Sequence, residues 1–343
     1  MPLRGGDPAP VIGRRSFLGL AAALLAVPAA QSEEARRYKV GFANLTEDPG
    51  VRLEGFGFTG ADVQTSFTLA ARTLPIDMVF FDNDRDRAKT LANAESAVAQ
   101  RLDAFVEYSD DASANAELAK RLKAAGIPIV AITYPVPGAP LYGPDNQLAG
   151  RIAGDALAGF ALSHWAGMPQ VAVLLGDLAN SADHMTERVE GIAAALKEKL
   201  PDAPLTRLDS GGNGTQAEAL LRRFAAAQTG KKLLIAALDD ITALRAKSAV
   251  EEAGRANDSA IVSQGCDHTV HGGMSDRKEL DPSNRGSILI GSVAYRLDRY
   301  GYDVLPLVLK LLSGEPVPPR VATRHVLVSA ANVFSVYPPI DMN

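Results

Sequence analysis

The chain has 343 residues, 47% of them hydrophobic, which is enough for two α/β domains of ordinary size. Its formal net charge is −5, and residues 1–30 contribute +2 through three arginines and one aspartate, so the remainder stands at −7. An acidic chain without a basic block argues against a nucleic acid partner, and the single cysteine, Cys266, excludes an intrachain disulfide.

Residues 1–30 have the pattern of an export signal. Arg14-Arg15 is followed by Phe17-Leu18 and by an apolar run that ends at Val27. Paired arginines before a short apolar segment are typical of the twin-arginine signal, and an ordinary secretory signal with two adjacent arginines is the alternative. The run is too short to span a bilayer. We therefore expect a soluble protein delivered to the periplasm.

Four short apolar runs alternate with helical patterns in the first half of the chain. The runs cover residues 38–44, 78–82, 104–108 and 129–134, and the helical patterns cover residues 61–74, 85–101 and 114–125. Gly126 and Pro128 follow the third helical pattern, where a helix end is expected. The spacing predicts four strands with a helix between each pair.

The same alternation resumes after residues 136–142, whose Pro and Gly content indicates a connection. Strands are predicted at residues 171–175, 205–208, 233–238, 261–262, 288–294 and 321–328, and helices at residues 147–165, 185–196, 216–227, 240–253 and 297–312. Alternating elements with fully apolar strands imply parallel sheets covered on both faces. The predicted fold class is α/β, with two doubly wound parallel-sheet lobes.

Polar side chains follow the strands at the edge where ligands bind in open parallel sheets. They are Asn44 and Asp48 after the first strand, Glu107 after the third, Thr133 and Tyr134 after the fourth, and Asp239 and Asp267 in the second half. Acidic residues after strands often cap the next helix, and we interpret Asp84 and Asp240 as caps. Charged acceptors suit sugar hydroxyls, and four or five such bonds support micromolar binding, roughly −8 kcal/mol.

Four short sequence segments, in the same order along the chain, resemble those of the ribose-binding type of periplasmic sugar-binding proteins. They lie at residues 124–128, 145–155, 186–191 and 311–317, within a resemblance that covers roughly residues 38–332. The resemblance implies a ligand cleft between two lobes joined by three crossings, with no catalysis and no cofactor. It places one lobe at residues 37–144 and 296–322 and the other at residues 145–295 and 323–343. It also implies a monomer that serves the membrane permease of an ABC transporter.

The resemblance carries ligand contacts over to ten positions. These are Asn44, Asp48, Glu107, Thr133, Tyr134, Asn146, Arg188, Asp239, Asp267 and Tyr295. For Arg188, a surface ion pair is the alternative to a ligand contact. The expected ligand is a small sugar or polyol.

The chain departs from the family pattern at three places near the predicted site. Pro49 is followed by Gly50-Val51 where aromatic residues are usual, Thr133-Tyr134 replaces an Asp-Arg pair, and Cys266 stands where an aromatic residue is common. The sequence therefore leaves the sugar open. An insertion at residues 52–60 offers Phe56 and Phe58 for stacking on a sugar, with simple loop packing as the alternative.

Two other functions compete with solute binding. Residues 55–60 match G-x-G-x-x-G, and Asp82 follows some twenty residues on, a pattern typical of a dinucleotide-binding site. On this alternative the protein is an exported nicotinamide-dependent oxidoreductase. About ten residues separate the motif from the first strand, too many for the tight turn that a pyrophosphate site needs. Asp267, His268 and His271, with His184, could form a metal site, although the spacing is loose.

Overall fold

The computed structural model describes residues 36–178, 183–272 and 277–338, except for the side chains of residues 183–185. The predicted export signal at residues 1–30 therefore lies outside the described residues, as does the side chain of His184.

Strands and helices alternate along the described residues. The strands are β1 (Tyr38–Asn44), β2 (Ile76–Asp82), β3 (Ala104–Glu107), β4 (Ile129–Ile132), β5 (Leu141–Gly143), β6 (Gln170–Gly176), β7 (Leu205–Asp209), β8 (Lys232–Ala237), β9 (Ser259–Gly265), β10 (Leu289–Ala294), β11 (Arg320–Ala322) and β12 (Leu327–Val328). The helices are α1 (Gly60–Ala71), α2 (Arg87–Ala99), α3 (Ala112–Ala124), α4 (Asn146–His164), α5 (Asp183–Lys199), α6 (Gly214–Ala227), α7 (Asp240–Glu252), α8 (Tyr300–Leu312) and α9 (Val333–Val336).

These strands form two six-stranded sheets. The first has the order β11-β5-β4-β3-β1-β2 and is parallel throughout. The second has the order β12-β10-β9-β8-β6-β7, in which only the edge strand β12 is antiparallel to its neighbour. We call each sheet with the helices packed on it the first and the second lobe. The predicted fold class of two parallel-sheet α/β lobes is confirmed.

The chain passes between the lobes three times. The passages lie between β5 and α4, between β10 and α8, and between β11 and β12. The α8 helix returns to the first lobe, where the N–H of Gly301 donates to Ser66 Oγ of α1 at 2.9 Å. A Cβ on Gly301 would lie 2.4 Å from the backbone nitrogen of Phe67, so only glycine permits this contact.

His325 joins all three passages through its ring. Its Nε2 accepts a hydrogen bond from the Asp145 N–H at 3.0 Å, and its Nδ1 lies 3.0 Å from the Ala294 carbonyl oxygen. Because Nε2 accepts, the ring hydrogen sits on Nδ1 and is donated to that carbonyl. Burial lowers the pKa of His325, which favours this neutral form.

Two predicted segments differ from the structure because their strands are very short. The connection predicted at residues 136–142 contains the start of β5, which spans three residues and pairs with β4 and β11. The single strand predicted at residues 321–328 is instead β11 and β12, which belong to different sheets. Two- and three-residue strands carry too few residues for a periodic pattern.

A close crossing of α4 and α5 builds the second lobe next to its first passage. A Cβ on Gly150 would lie 2.2 Å from the Arg188 carbonyl oxygen, and one on Gly191 would lie 2.2 Å from the Gln147 carbonyl oxygen. Small residues at both positions let the two backbones touch. The crossing therefore holds Arg188 of α5 beside Asn146, the first residue of α4.

Candidate functional site

A cavity of about 350 Å³ lies between the two lobes. Its first-lobe wall includes Arg52, Glu54, Phe56, Arg85 and Tyr134, and its second-lobe wall includes Arg188, Leu238, Asp239, Ile241 and Thr242. Of the ten predicted ligand residues, Tyr134, Arg188 and Asp239 line this cavity. The other seven do not lie among its described walls, and their contacts are given below.

Arg188 supplies the buried cation of the second-lobe wall. Its side chain is 1% exposed, with Nη1 donating to the Leu238 carbonyl oxygen at 3.3 Å and Nη2 to Asn146 Oδ1 at 3.1 Å. Its Nε has no hydrogen-bond partner among the described residues. The structure shows no surface ion pair for Arg188 with a described residue, so the guanidinium keeps a donor for a ligand.

Tyr295 and Asn146 lie behind Arg188 and orient it. The Tyr295 hydroxyl is 2.8 Å from Gln264 Oε1 and 3.2 Å from Asn146 Oδ1. Burial raises the pKa of Tyr295 to about 12, so its hydroxyl stays protonated. Asn146 Oδ1 is thus shared between Tyr295 and Arg188 rather than presented to the cavity.

Asp239 combines a capping role with a place in the cavity wall. Its carboxylate caps α7 by accepting from the Thr242 N–H at 2.7 Å and from Thr242 Oγ1 at 2.6 Å. Burial raises the pKa of Asp239. The interpretation of Asp240 as the cap was wrong, because Asp240 is the first residue inside the helix.

Asp240 is fully buried and anchors the ends of β9 and β10 instead. Its Oδ1 accepts from the hydroxyls of Ser263 and Ser292, and its Oδ2 accepts from the Asp267 N–H at 2.8 Å. Burial and the neighbouring Asp267 raise its pKa well above the usual range. The cap interpretation of Asp84 was also wrong, because Asp86 caps α2 through the Lys89 N–H.

Glu54 is the acid of the first-lobe wall, and it is not among the ten ligand residues predicted from the sequence. Its Oε1 accepts from the Tyr108 hydroxyl at 2.6 Å and its Oε2 from the Tyr134 hydroxyl at 3.1 Å. Burial and the Glu54 charge raise the pKa of Tyr134, so both phenols remain donors. The only signal in the sequence was an acid within the insertion at residues 52–60.

Asn44 and Asp48 shape the loop that follows β1. Asn44 Nδ2 donates to the Gly60 carbonyl oxygen at 2.9 Å and also contacts Glu47, and the residue is fully buried. Asp48 is exposed and accepts from the Gly50 N–H at 2.8 Å. Both polar groups therefore support the backbone of this loop.

The backbone N–H of Thr133 and the carboxylate of Asp267 also form hydrogen bonds within the protein. Thr133 has φ +60° and its N–H donates to the Tyr142 carbonyl oxygen at 2.8 Å, which holds the end of β4 beside β5. Asp267 Oδ1 accepts from the Thr269 N–H at 2.8 Å, and its Oδ2 accepts from the Gly57 N–H at 2.7 Å. A first-lobe backbone group thus occupies the Asp267 carboxylate.

The two phenylalanines of the insertion have different surroundings. Phe56 is 2% exposed and forms part of the cavity wall, whereas Phe58 is fully buried in an apolar cluster and its ring lies edge-on to His268. For Phe58, the loop-packing alternative describes what the structure shows.

The G-x-G-x-x-G segment at residues 55–60 does not form a dinucleotide turn. The N-terminus of α1 is closed by its own capping box, in which Asp62 Oδ2 accepts from the Thr59 N–H at 2.7 Å. A Cβ on Gly60 would lie 1.9 Å from the Thr46 carbonyl oxygen. The last glycine therefore serves backbone packing, and a pyrophosphate would find the helix end already occupied by a carboxylate.

The histidine cluster was the other alternative site. The rings of His268 and His271 are 5.3 Å apart, and His271 stacks on Tyr337. Within residues 36–178, 183–272 and 277–338, no group of three or more His, Cys, Asp or Glu side chains is placed to hold a metal ion. In the same part of the chain, no helix combines the length and apolarity needed to cross a bilayer.

Glu107 lies at the end of β3 as a fully buried acid. Its Oε1 accepts from Asn83 Nδ2 at 2.9 Å, and its Oε2 has no partner among the described residues. Burial raises the pKa of Glu107 well above its usual value of 4.5. The folded protein therefore binds this proton more tightly than the unfolded chain, and the predicted role as a charged ligand acceptor does not fit this environment.

We expect stability to fall as pH rises above 4.5, because ionising Glu107 penalises only the folded state. Glu107→Gln keeps the acceptor for Asn83 and has no proton to lose. Urea unfolding gives the free energy of unfolding of the variant minus that of the wild type. This difference should be more favourable to the variant at pH 8 than at pH 5. Glu315→Gln, at an exposed position, controls for the lost charge. An equal difference at both pH values for Glu107→Gln would contradict a raised pKa.

Sequence and structure comparisons place the chain among known proteins. A family model described as a periplasmic binding protein domain matches residues 57–316, well over half of the chain. No curated protein matches it in sequence.

Solved structures share the fold at low sequence identity. An ABC transporter periplasmic solute-binding protein from Actinobacillus succinogenes with bound D-allose has a TM-score of 0.66 and 16% identity, over 87% of this chain and 100% of that chain. A solute-binding protein from Mycobacterium smegmatis with bound glycerol has a TM-score of 0.61 and 19% identity, over 87% and 96%. One from Bacillus halodurans with bound myo-inositol has a TM-score of 0.59 and 17% identity, over 89% and 99%. The predicted resemblance is confirmed, and the chain belongs to the periplasmic binding protein family.

Proposed function

We propose that this protein captures a small sugar or polyol in the cavity between its lobes and delivers it to an ABC-type uptake system. The observation that carries the proposal is a cavity whose opposite walls both offer hydrogen-bonding groups. Glu54 and Tyr134 come from the first lobe, and Arg188 and Asp239 come from the second. A ligand that contacts both walls stabilises the closed arrangement of the lobes.

The chemistry of these groups suits hydroxyl-rich ligands. Each hydroxyl donates one hydrogen bond and accepts others, so it can use a carboxylate and a guanidinium at once. Hydrogen bonds to charged groups contribute about 1.5–3 kcal/mol each. The carboxylates of Glu54 and Asp239, together with the spare Nε–H of Arg188, therefore suit a ligand whose hydroxyls both donate and accept, such as a sugar or polyol.

Lobe movement would follow from the three passages between the sheets. We place the lobe boundaries at residues 144–145, 295–296 and 322–323, with hinges near residues 143–145, Tyr295 and residues 320–324. Each passage is short, so bending there would swing one sheet against the other. A membrane permease would then recognise the closed form.

The leader and the relatives support the remaining parts of the proposal. The twin-arginine pattern at Arg14-Arg15 supports export to the periplasm. Solute-binding proteins of the same fold have been solved with D-allose, glycerol and myo-inositol. We infer a monomer that works without a cofactor and without enzymatic activity.

A thermal-shift screen with D-allose, myo-inositol, glycerol, other sugars, aminosugars and amino acids tests this function. A bound ligand raises the melting temperature by mass action. A sugar or polyol should give the largest shift. The proposal would be overturned if only amino acids raised the melting temperature, or if none of the compounds did.

Asp239→Asn is expected to weaken binding of the best ligand by roughly tenfold, because a neutral amide replaces a charged acceptor. Asparagine is also a good helix cap, so α7 should keep its start. Calorimetric titration measures the change. Asp111→Asn makes the same substitution at the cap of α3, away from the cavity, and should leave affinity unchanged. Equal affinities for both variants would remove Asp239 from the site.

A further inference from the structure

Residues 53–58, which we call the clasp, reach from the first lobe into the deep part of the cleft. The Phe56 ring centroid lies 4.2 Å from that of Tyr295, and the Arg188 guanidinium carbon lies 4.6 Å from the Phe56 ring centroid. Next along the chain, the Gly57 N–H donates to Asp267 Oδ2. One first-lobe segment therefore contacts Arg188, Asp267 and Tyr295 of the second lobe.

The clasp uses groups that a bound solute would otherwise need. Both carboxylate oxygens of Asp267 already accept protein donors, Oδ2 from the clasp and Oδ1 from Thr269. Phe56, whose side chain is almost fully buried, packs on the Tyr295 ring, which also contacts Arg188 and His325. A solute can reach the Asp267 carboxylate or the Tyr295 ring only after Phe56 and Gly57 withdraw.

The clasp is held together by its own hydrogen bonds. The Leu53 N–H donates to the Phe58 carbonyl oxygen at 2.8 Å, and the Phe56 N–H donates to the Leu53 carbonyl oxygen at 2.9 Å. Glu54 and Gly55 both have positive φ, at 55° and 74°, and the chain turns there just before Phe56, which packs against Arg188 and Tyr295. The segment can therefore leave the second lobe while keeping its shape.

We propose that the clasp closes the cleft in the absence of solute and that an incoming solute competes with Phe56 for the deep subsite. When a solute induces closure, the solute bridges the two lobes. Here the clasp bridges them, so it acts as an internal ligand. The part of this inference that concerns competition rests on the proposed function. The part that concerns closure does not, because closure can be measured without any solute.

Two substitutions break the clasp by different routes. Phe56→Ala removes the ring that contacts both Arg188 and Tyr295. Gly57→Ala keeps the ring but adds a Cβ that would lie 2.1 Å from Asp267 Oδ2, so the hydrogen bond cannot persist. Gly286→Ala, where a Cβ has nothing within 4 Å, is the matched control.

Small-angle X-ray scattering of the solute-free proteins tests closure. Phe56→Ala and Gly57→Ala should both have a larger radius of gyration than the wild type and Gly286→Ala. Circular dichroism melting verifies that each variant is folded, and Gly57→Ala covers the case in which Phe56→Ala is not. Folded variants with the wild-type radius of gyration would overturn the clasp.

Calorimetric titration with D-allose, myo-inositol and glycerol tests competition. Since burying a phenylalanine ring shifts an equilibrium by roughly ten- to a hundredfold, Phe56→Ala should bind the wild-type solute tighter by about that factor. Weaker binding by Phe56→Ala would overturn competition and make Phe56 a ligand contact.

The two measurements together separate the clasp from sugar binding. Variants with a larger radius of gyration that bind none of the three probes would uphold the clasp and count against sugar binding. Probe binding with unchanged radii would uphold sugar binding and overturn the clasp.

Discussion

Gly191→Ala is expected to destabilise the protein by about 1–3 kcal/mol, the usual cost of forcing an extra carbon into a packed contact. Its Cβ would lie 2.2 Å from the Gln147 carbonyl oxygen and 3.0 Å from the Arg151 backbone nitrogen. Both are backbone atoms of α4, so the clash can be relieved only by moving α5 away. Arg188 is three residues earlier on α5, and ligand affinity should fall together with stability.

Urea unfolding and calorimetric titration of the same samples measure both effects. Gly159→Ala is the matched control, because it lies on the exposed face of α4 with nothing within 4 Å of its Cβ. That variant should be neutral or more stable by up to about 1 kcal/mol, since alanine is the better helix former. A Gly191→Ala protein as stable as Gly159→Ala would show that α4 and α5 are not in backbone contact.

Arg188→Lys is expected to weaken ligand binding by roughly ten- to a hundredfold, although it conserves the charge. The planar guanidinium holds the Leu238 carbonyl oxygen and Asn146 Oδ1 and lies against the faces of Phe56 and Tyr295. An ammonium group is a point charge that cannot make the two bonds in this fixed geometry. Losing a charged hydrogen bond of about 1.5–3 kcal/mol accounts for the size of the effect.

Calorimetric titration with the best sugar or polyol measures this loss. Arg151→Lys is the control, because Arg151 forms an exposed ion pair with Glu198 on the outside of the same pair of helices. Exposed pairs contribute little, so its affinity and stability should stay near those of the wild type. Unchanged affinity in Arg188→Lys would mean that the ligand does not use this guanidinium.

The sequence predicted the sheets well because most strands are continuous apolar runs bounded by helical periodicity. It also singled out Arg188, in the second turn of α5, and Asp239, which directly precedes α7, and both line the cavity. It did not distinguish residues that face the cavity from residues that hold the loops, such as Asn44 and Asp267. Both kinds follow a strand, and only the three-dimensional partners separate them.

The first-lobe wall was the least predictable part of the site. Glu54 and Phe56 lie in a loop without periodicity, and their positions depend on contacts with Tyr108, Tyr134 and Tyr295, far away in sequence. Tertiary contacts of this kind leave no local pattern. The capping error at Asp239 and Asp240 has a similar origin, because a shift of one residue decides which carboxylate caps and which is buried.

His325 has a mechanical consequence for any relative rotation of the two sheets. Its ring is bonded to Asp145 and to Ala294, so a rotation that preserves both hydrogen bonds must pivot close to the imidazole. Atoms beside such an axis barely change their separation, whereas the rim of the cavity, at residues such as Ile241, travels furthest. The backbone at Asp145 and Ala294 then keeps its spacing, and the separation between two facing wall residues grows with their distance from His325.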